Sequence, residues 1–226
     1  MSLWVKICAN TTAEDALMGV EAGADALGFV FAPSPRRVTA EQAAAIVAML
    51  PESLEKIGVF VDASADEIVS TVNAARLTGV QLHFEADAGL PAMLRERLGP
   101  EVRILRVVHF GAEAADELAR LAGDPHIDGV LVDSRTATAV GGTGLAFDWA
   151  EAGNSLFQET KARERRMIAA GGLTPENVAE AIRLLRPWGV DVVSGVEAAP
   201  GKKDAAKVRA FVANARAANR EIGIRT

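Results

Sequence analysis

"LWVKICANTTAEDALMGVEAG", residues 3–23, is the stretch on which the fold turns. Leu3–Cys8 is a short, mainly apolar run of strand type. A helical pattern follows almost at once, with a Thr cap, Glu14 placed early in capping-box style, and an end at Gly23. No glycine-rich phosphate loop of dinucleotide-binding type separates the two. A βα unit that lacks this loop favours a closed barrel over an open doubly wound sheet, provided that it repeats often enough.

It does repeat. Further strand-type runs occupy Ala26–Phe31, Lys56–Val61, Gly79–His83, Arg103–Val108, Gly129–Asp133, Met167–Ala170 and Val190–Ser194. Most are continuously apolar, as parallel strands buried on both faces must be. Helical patterns lie between them. "TAEQAAAIVAMLP" (39–51) has Thr39 as cap, Gln42 three residues on, and Pro51 as terminator. "TPENVAEAIRLLRPWG" (174–189) places Pro175 at the first helical position and breaks at Pro187, and a last helix is expected from about Asp204 to Asn219. Weak self-similarity supports a repeated unit: "GADALGFVF", "GVQLHF", "DGVLVD" and "GVDVVSG" each carry a Gly just ahead of, or early in, a strand. The expected fold is an α/β (β/α)8 TIM barrel, a single domain over residues 1–226.

Composition narrows the function classes. A net charge of −6 argues against a general nucleic-acid binder, which wants a basic face. Cys8 is the one cysteine, so neither an intramolecular disulfide nor a multi-cysteine metal cluster is possible. The first residues lack the apolar core of a signal peptide, and no apolar run approaches the ~20 residues of a membrane helix. A cytoplasmic protein with no membrane partner is expected.

In such barrels the chemistry sits at the C-terminal strand ends. The first strand delivers Cys8 there. A lone Cys is ordinarily a small buried hydrophobe, but a thiol at a barrel mouth beside Lys6 can ionise and act as base or nucleophile. The sixth strand delivers Asp133, which either caps the next loop or, with a raised pKa, serves as a general acid. Arg36 and Arg37 follow a stiff Pro-Ser-Pro turn; Arg36 suits a planar substrate carboxylate, while Arg37 reads equally as a solvated charge. The fourth strand ends in Gln81 and His83, read as substrate-binding positions. With no Cys or His partner at ligand spacing, no metal is expected. His109 reads as a strand-end residue and His126 as a surface one. Gly141, Gly142 and Gly144 can bring backbone close to a substrate or form a lid.

The last two strand ends have an anion-binding character. Gly171-Gly172 precedes a helix start, and "DVVSGVEAAPGKKD" (191–204) follows a buried strand with Ser194-Gly195, Pro200-Gly201, a Lys pair and Asp204 as N-cap. Two adjacent amide-rich loops with helix dipoles behind them hold a phosphate without much side-chain charge. Lys202 and Lys203, read as exposed, add only a screened attraction.

Taken together, "KICAN", "GADALGFVF", "SPRRV", "GVQLH", "LVDS", "GGTGLAFDW", "AGGLTPENV" and "DVVSGVEAAPGKKD" resemble the phosphoribosylanthranilate isomerase family in order and spacing, from about residue 4 to 215. The resemblance implies a barrel of ribulose-phosphate-binding type and an isomerase of tryptophan biosynthesis. The reaction would be the Amadori rearrangement of N-(5-phosphoribosyl)anthranilate to 1-(2-carboxyphenylamino)-1-deoxyribulose 5-phosphate, with no cofactor. Carried over by motif, Cys8 would be the general base and Asp133 the general acid. Arg36 would hold the anthranilate side, and Gly171, Gly172, Ser194 and Gly195 the phosphate. The partner would be a small phosphosugar, and the protein a monomer or homodimer. The chain departs from the family pattern at Ala9, where Gly is usual, at Phe84, where Gly is frequent, and at Val193, where Ser is common. Two rival readings are the related phosphosugar isomerase of histidine biosynthesis, against which Cys8 speaks, and a non-catalytic phosphate-ligand-binding barrel, against which retention of both Cys8 and Asp133 speaks.

Overall fold

The structure, a computed structural model, describes residues 2–83, 89–133, 157 and 166–224. Eight strands close into a barrel in chain order: β1 (Trp4–Ile7), β2 (Ala26–Val30), β3 (Glu55–Phe60), β4 (Gly79–Leu82), β5 (Arg103–His109), β6 (Gly129–Asp133), β7 (Arg166–Ala170) and β8 (Gly189–Val192). Every neighbouring pair is parallel, including β1 with β8. Among the described residues the helices are α1 (Ala13–Ala22), α2 (Ala40–Val47), α3 (Ala65–Ala75), α4 (Leu90–Leu98), α5 (Ala114–Ala122), α6 (Val178–Leu185) and α7 (Ala205–Ile224). The barrel expected from the repeated βα pattern is the fold observed.

The period of two along each strand sorts residues into two cores. Outward-facing Ile7, Leu27, Val80, Leu82 and Val190 pack beneath the helices with Phe211 of α7. Inward-facing Trp4, Ala26, Ile57, Leu105, Leu131 and Ile168 fill the barrel itself. At the N-terminal end Trp4 stacks on Trp188, ring centroids 5.2 Å apart. The Arg103 and Arg166 guanidiniums lie over Trp188 at 5.4 and 5.1 Å. This plug closes the bottom of the barrel.

Local signals worked with three corrections. Thr12 caps α1 by accepting from the Asp15 amide, so the third helical position is Asp15, not Glu14, and no capping box forms. Asp15 is instead buried, and its Oδ1 accepts from the Lys203 amide. Thr39 and Gln42 do form the expected box on α2. The helix expected from Pro175 begins at Val178, with Pro175 in the turn before it. The stretch after β8 is not an open loop. Ser194–Val196 forms a 3-10 turn, and Glu197–Ala199 (β9) pairs antiparallel with Lys202–Lys203 (β10), reversing at Pro200 and Gly201. Among the described residues no helix is long and apolar enough to cross a membrane.

Candidate active site

A cavity of about 240 Å³ opens where the strands end, with Cys8, Gln81, Asp133, Gly171, Asp191 and Ser194 in its walls. The alternation of β1 explains its floor: Trp4, Lys6 and Cys8 follow one another two residues apart on the inner face. Cys8 continues the β1–β8 ladder, its amide donating to the Val192 carbonyl at 2.9 Å, and is buried. Its sulfur fits because β2 presents Gly28 beside it; a Cβ there would lie 2.4 Å from Sγ and 3.0 Å from the Lys6 Cε.

Lys6 is fully buried and donates to Asp191 Oδ1 and Gln81 Oε1, both at 2.9 Å. Burial alone would lower its pKa, but Asp191 and the neighbouring Cys8 hold it above the ordinary lysine value, so Lys6 keeps its proton. For Cys8 burial raises the thiol pKa, and the Lys6 ammonium opposes that rise. Lys6 thus stands beside Cys8 as its place on the first strand suggested, while Asp191 is a part of the site that the sequence reading did not name. Asp191, 185 residues away from Lys6 along the chain, carries no local signal.

Asp133 ends β6, is buried, and faces the same cavity as Cys8, so the structure brings the two together. Gln81 also lines it, with its side-chain oxygen engaged by Lys6. His83 lines the mouth and meets His109 edge-on, ring centroids 5.4 Å apart. His126 is half-buried.

Arg36 reaches the cavity as expected, while Arg37 is exposed. The reading missed the partner of Arg36. Glu197, side chain 4% exposed, accepts from Arg36 Nε at 2.8 Å and Nη2 at 2.7 Å. Lys203 corrects an expectation outright: it is buried, with Nζ 3.4 Å from Glu197 Oε1 and 3.4 Å from the Val193 carbonyl, and only Lys202 is exposed.

Gly171 and Gly172 line the cavity with φ of 81° and 62°, a left-handed pair that side chains resist. Gly195 packs the arm after β8 against the β7 loop: a Cβ on it would lie 1.9 Å from the Leu173 carbonyl oxygen. The start of the main helix after β8 is capped by its own chain, Asp204 Oδ1 accepting from the Ala206 and Lys207 amides. Ala9 holds φ 61°, the region where glycine is at ease, so an alanine there costs roughly 1–2 kcal/mol. Gly142, Gly144 and Phe84 lie outside the described residues.

Fold and site define a (β/α)8 barrel whose polar side chains gather at the C-terminal mouth, where enzymes of this fold hold their chemistry. A family model described as N-(5'-phosphoribosyl)anthranilate (PRA) isomerase matches residues 5–214. The chain is 45% identical over 216 residues to the N-(5'-phosphoribosyl)anthranilate isomerase of Trichlorobacter lovleyi, covering 95% of this chain and 98% of that one. Its fold is similar to the crystal structure of phosphoribosyl anthranilate isomerase from Thermotoga maritima, at TM-score 0.82 and 37% identity, covering 95% and 99% of the two chains. It is also similar, at TM-score 0.78, 36% identity and the same 95% and 99% coverage, to a phosphoribosyl anthranilate isomerase solved with reduced 1-(o-carboxyphenylamino)-1-deoxyribulose 5-phosphate. The chain belongs to the N-(5'-phosphoribosyl)anthranilate isomerase family, whose members are isomerases of tryptophan biosynthesis.

Proposed function

We propose that this barrel, one domain over residues 1–226, converts N-(5-phosphoribosyl)anthranilate to 1-(2-carboxyphenylamino)-1-deoxyribulose 5-phosphate with its own side chains. The observation that carries the residue roles is the placement of Cys8 and Asp133 on one cavity above a buried, protonated Lys6. Asp133 donates its proton to the ribofuranose ring oxygen; the C1′–O bond breaks and an iminium forms at the anthranilate nitrogen. The Cys8 thiolate removes the C2′ proton, and that C–H electron pair neutralises the iminium to give an enolamine. The enol tautomerises to the ketone, so the proton balance closes without a redox partner. Each well-placed proton transfer of this kind contributes typically ~10²–10⁴-fold.

Arg36 takes the anthranilate carboxylate through its guanidinium fork. The amides around Gly171-Gly172 and Ser194-Gly195 take the phosphate, and Gln81 and His83 complete the substrate-binding walls. The protein works in the cytoplasm as a monomer or homodimer and binds no nucleic acid. The test is a turnover assay on the purified protein with phosphoribosylanthranilate, following loss of anthranilate-type fluorescence. Turnover is expected; its absence, or turnover of the histidine-pathway phosphosugar instead, overturns the reading.

A further inference from the structure

We propose that Glu197 is the positioning residue for Arg36, so that the arm after β8 orients the group that receives the substrate carboxylate. This rests on the reading of Arg36 given above. Glu197 opens β9 immediately after the 3-10 turn Ser194–Val196. Its carboxylate collects donors from separate segments. Arg36 gives Nε and Nη2, Gly201 gives its amide at 3.2 Å, and Lys203 gives Nζ at 3.4 Å. The Glu197 backbone is held too, its carbonyl accepting from Lys207 Nζ at 2.9 Å. Gly201 in turn is tied down, its carbonyl accepting from Thr11 Oγ1 at 2.6 Å.

A guanidinium is a rigid planar fork, and engaging both Nε and Nη2 fixes its plane. Arg36 cannot turn without breaking both bonds, and its opposite edge is directed away from Glu197. The three side chains Glu197, Arg36 and Lys203 sum to one positive charge. Glu197 supports this by being ionised: burial alone would raise its carboxyl pKa, but the bonds from Arg36 and the charge on Lys203 hold it below the ordinary range. The same arm carries Ser194 and Gly195 at the proposed phosphate site. One piece of chain thus sets the spacing between the two anionic ends of the substrate.

The test is a double-mutant cycle with kcat, KM and the inhibition constant of inorganic phosphate measured on each variant. Glu197→Gln is expected to raise KM roughly tenfold while kcat stays within about a factor of two and phosphate inhibition is unchanged. In an Arg36→Ala background the same change is expected to add nothing to KM, because Glu197 acts through Arg36. Glu197→Asp keeps the charge beside Lys203 but shortens the reach to Arg36, so it separates positioning from folding; its KM is expected to rise too. Parallel loss of phosphate inhibition would make Glu197 a mere brace for the arm and overturn the proposal. So would additive effects in the double variant, or a wild-type KM in both Glu197→Gln and Glu197→Asp. A raised KM in Glu197→Gln with a wild-type KM in Arg36→Ala also overturns it, and places the failure in the reading of Arg36.

Discussion

Gly28 and Cys8 lie against each other on neighbouring strands, so closely that a Cβ on residue 28 would stand 2.4 Å from the Cys8 sulfur. The repeat "GADALGFVF" showed a second glycine inside a strand, where glycine is otherwise unfavourable. The thiol accounts for it. Gly28→Ala is expected to fold with about 1–3 kcal/mol of lost stability from overpacking. Its kcat/KM should fall at least about tenfold as sulfur and Lys6 are displaced. Denaturant melts beside steady-state kinetics check this, and wild-type kinetics would mean that the thiol need not sit where it does.

Cys8→Ser and Asp133→Asn should each lower kcat by on the order of 10²–10⁴ while the circular dichroism spectrum and melting point stay near wild type. Both residues are buried on the shared cavity, and both changes nearly preserve volume. Near-normal turnover in either purified variant would remove that residue from its role.

The pH profile should expose Lys6. Its ammonium opposes the burial-driven rise of the Cys8 pKa. In Lys6→Met that opposition is gone, and the thiolate forms only at higher pH. The acid limb of kcat/KM, where activity rises as the base deprotonates, should therefore move to higher pH than in wild type. The pH dependence of Cys8 alkylation, measured independently of turnover, should move the same way. A limb that stays put or moves down would show that Lys6 serves packing alone.

The arm after β8 separates two kinds of lysine. Lys202→Ala should weaken binding of a phosphate-bearing product analogue slightly and in a salt-dependent way, because its charge is exposed. Gly195→Val should abolish that binding at any salt, since even the first side-chain carbon meets the Leu173 carbonyl at 1.9 Å. Calorimetric titration of both variants distinguishes them. Retained affinity in Gly195→Val would show that the two loops need not touch for the phosphate site to form.

The barrel was legible because its signals are local or periodic. Apolar runs such as Gly129–Asp133 and the Thr39–Gln42 capping box are written within a few residues, and their repetition leaves few topologies. Cys8, Asp133 and Gly171 could be placed at the cavity for the same reason, since each stands at or just past a strand end and strand ends face the mouth, whereas Arg36 reaches it from the turn after β2. Pairing across the barrel was not. Lys6 with Asp191, and Arg36 with Glu197, join residues 185 and 161 positions apart, and nothing near either partner announces the other. Burial of Lys203 was hidden likewise, because a Lys pair after a Pro-Gly turn looks solvated until Glu197 is folded beneath it. Sequence alone determined which side chains reach the mouth, since backbone periodicity sets that. Only the closed barrel decided which charges meet there, because a buried ion pair exists only after distant strands have excluded the water between them.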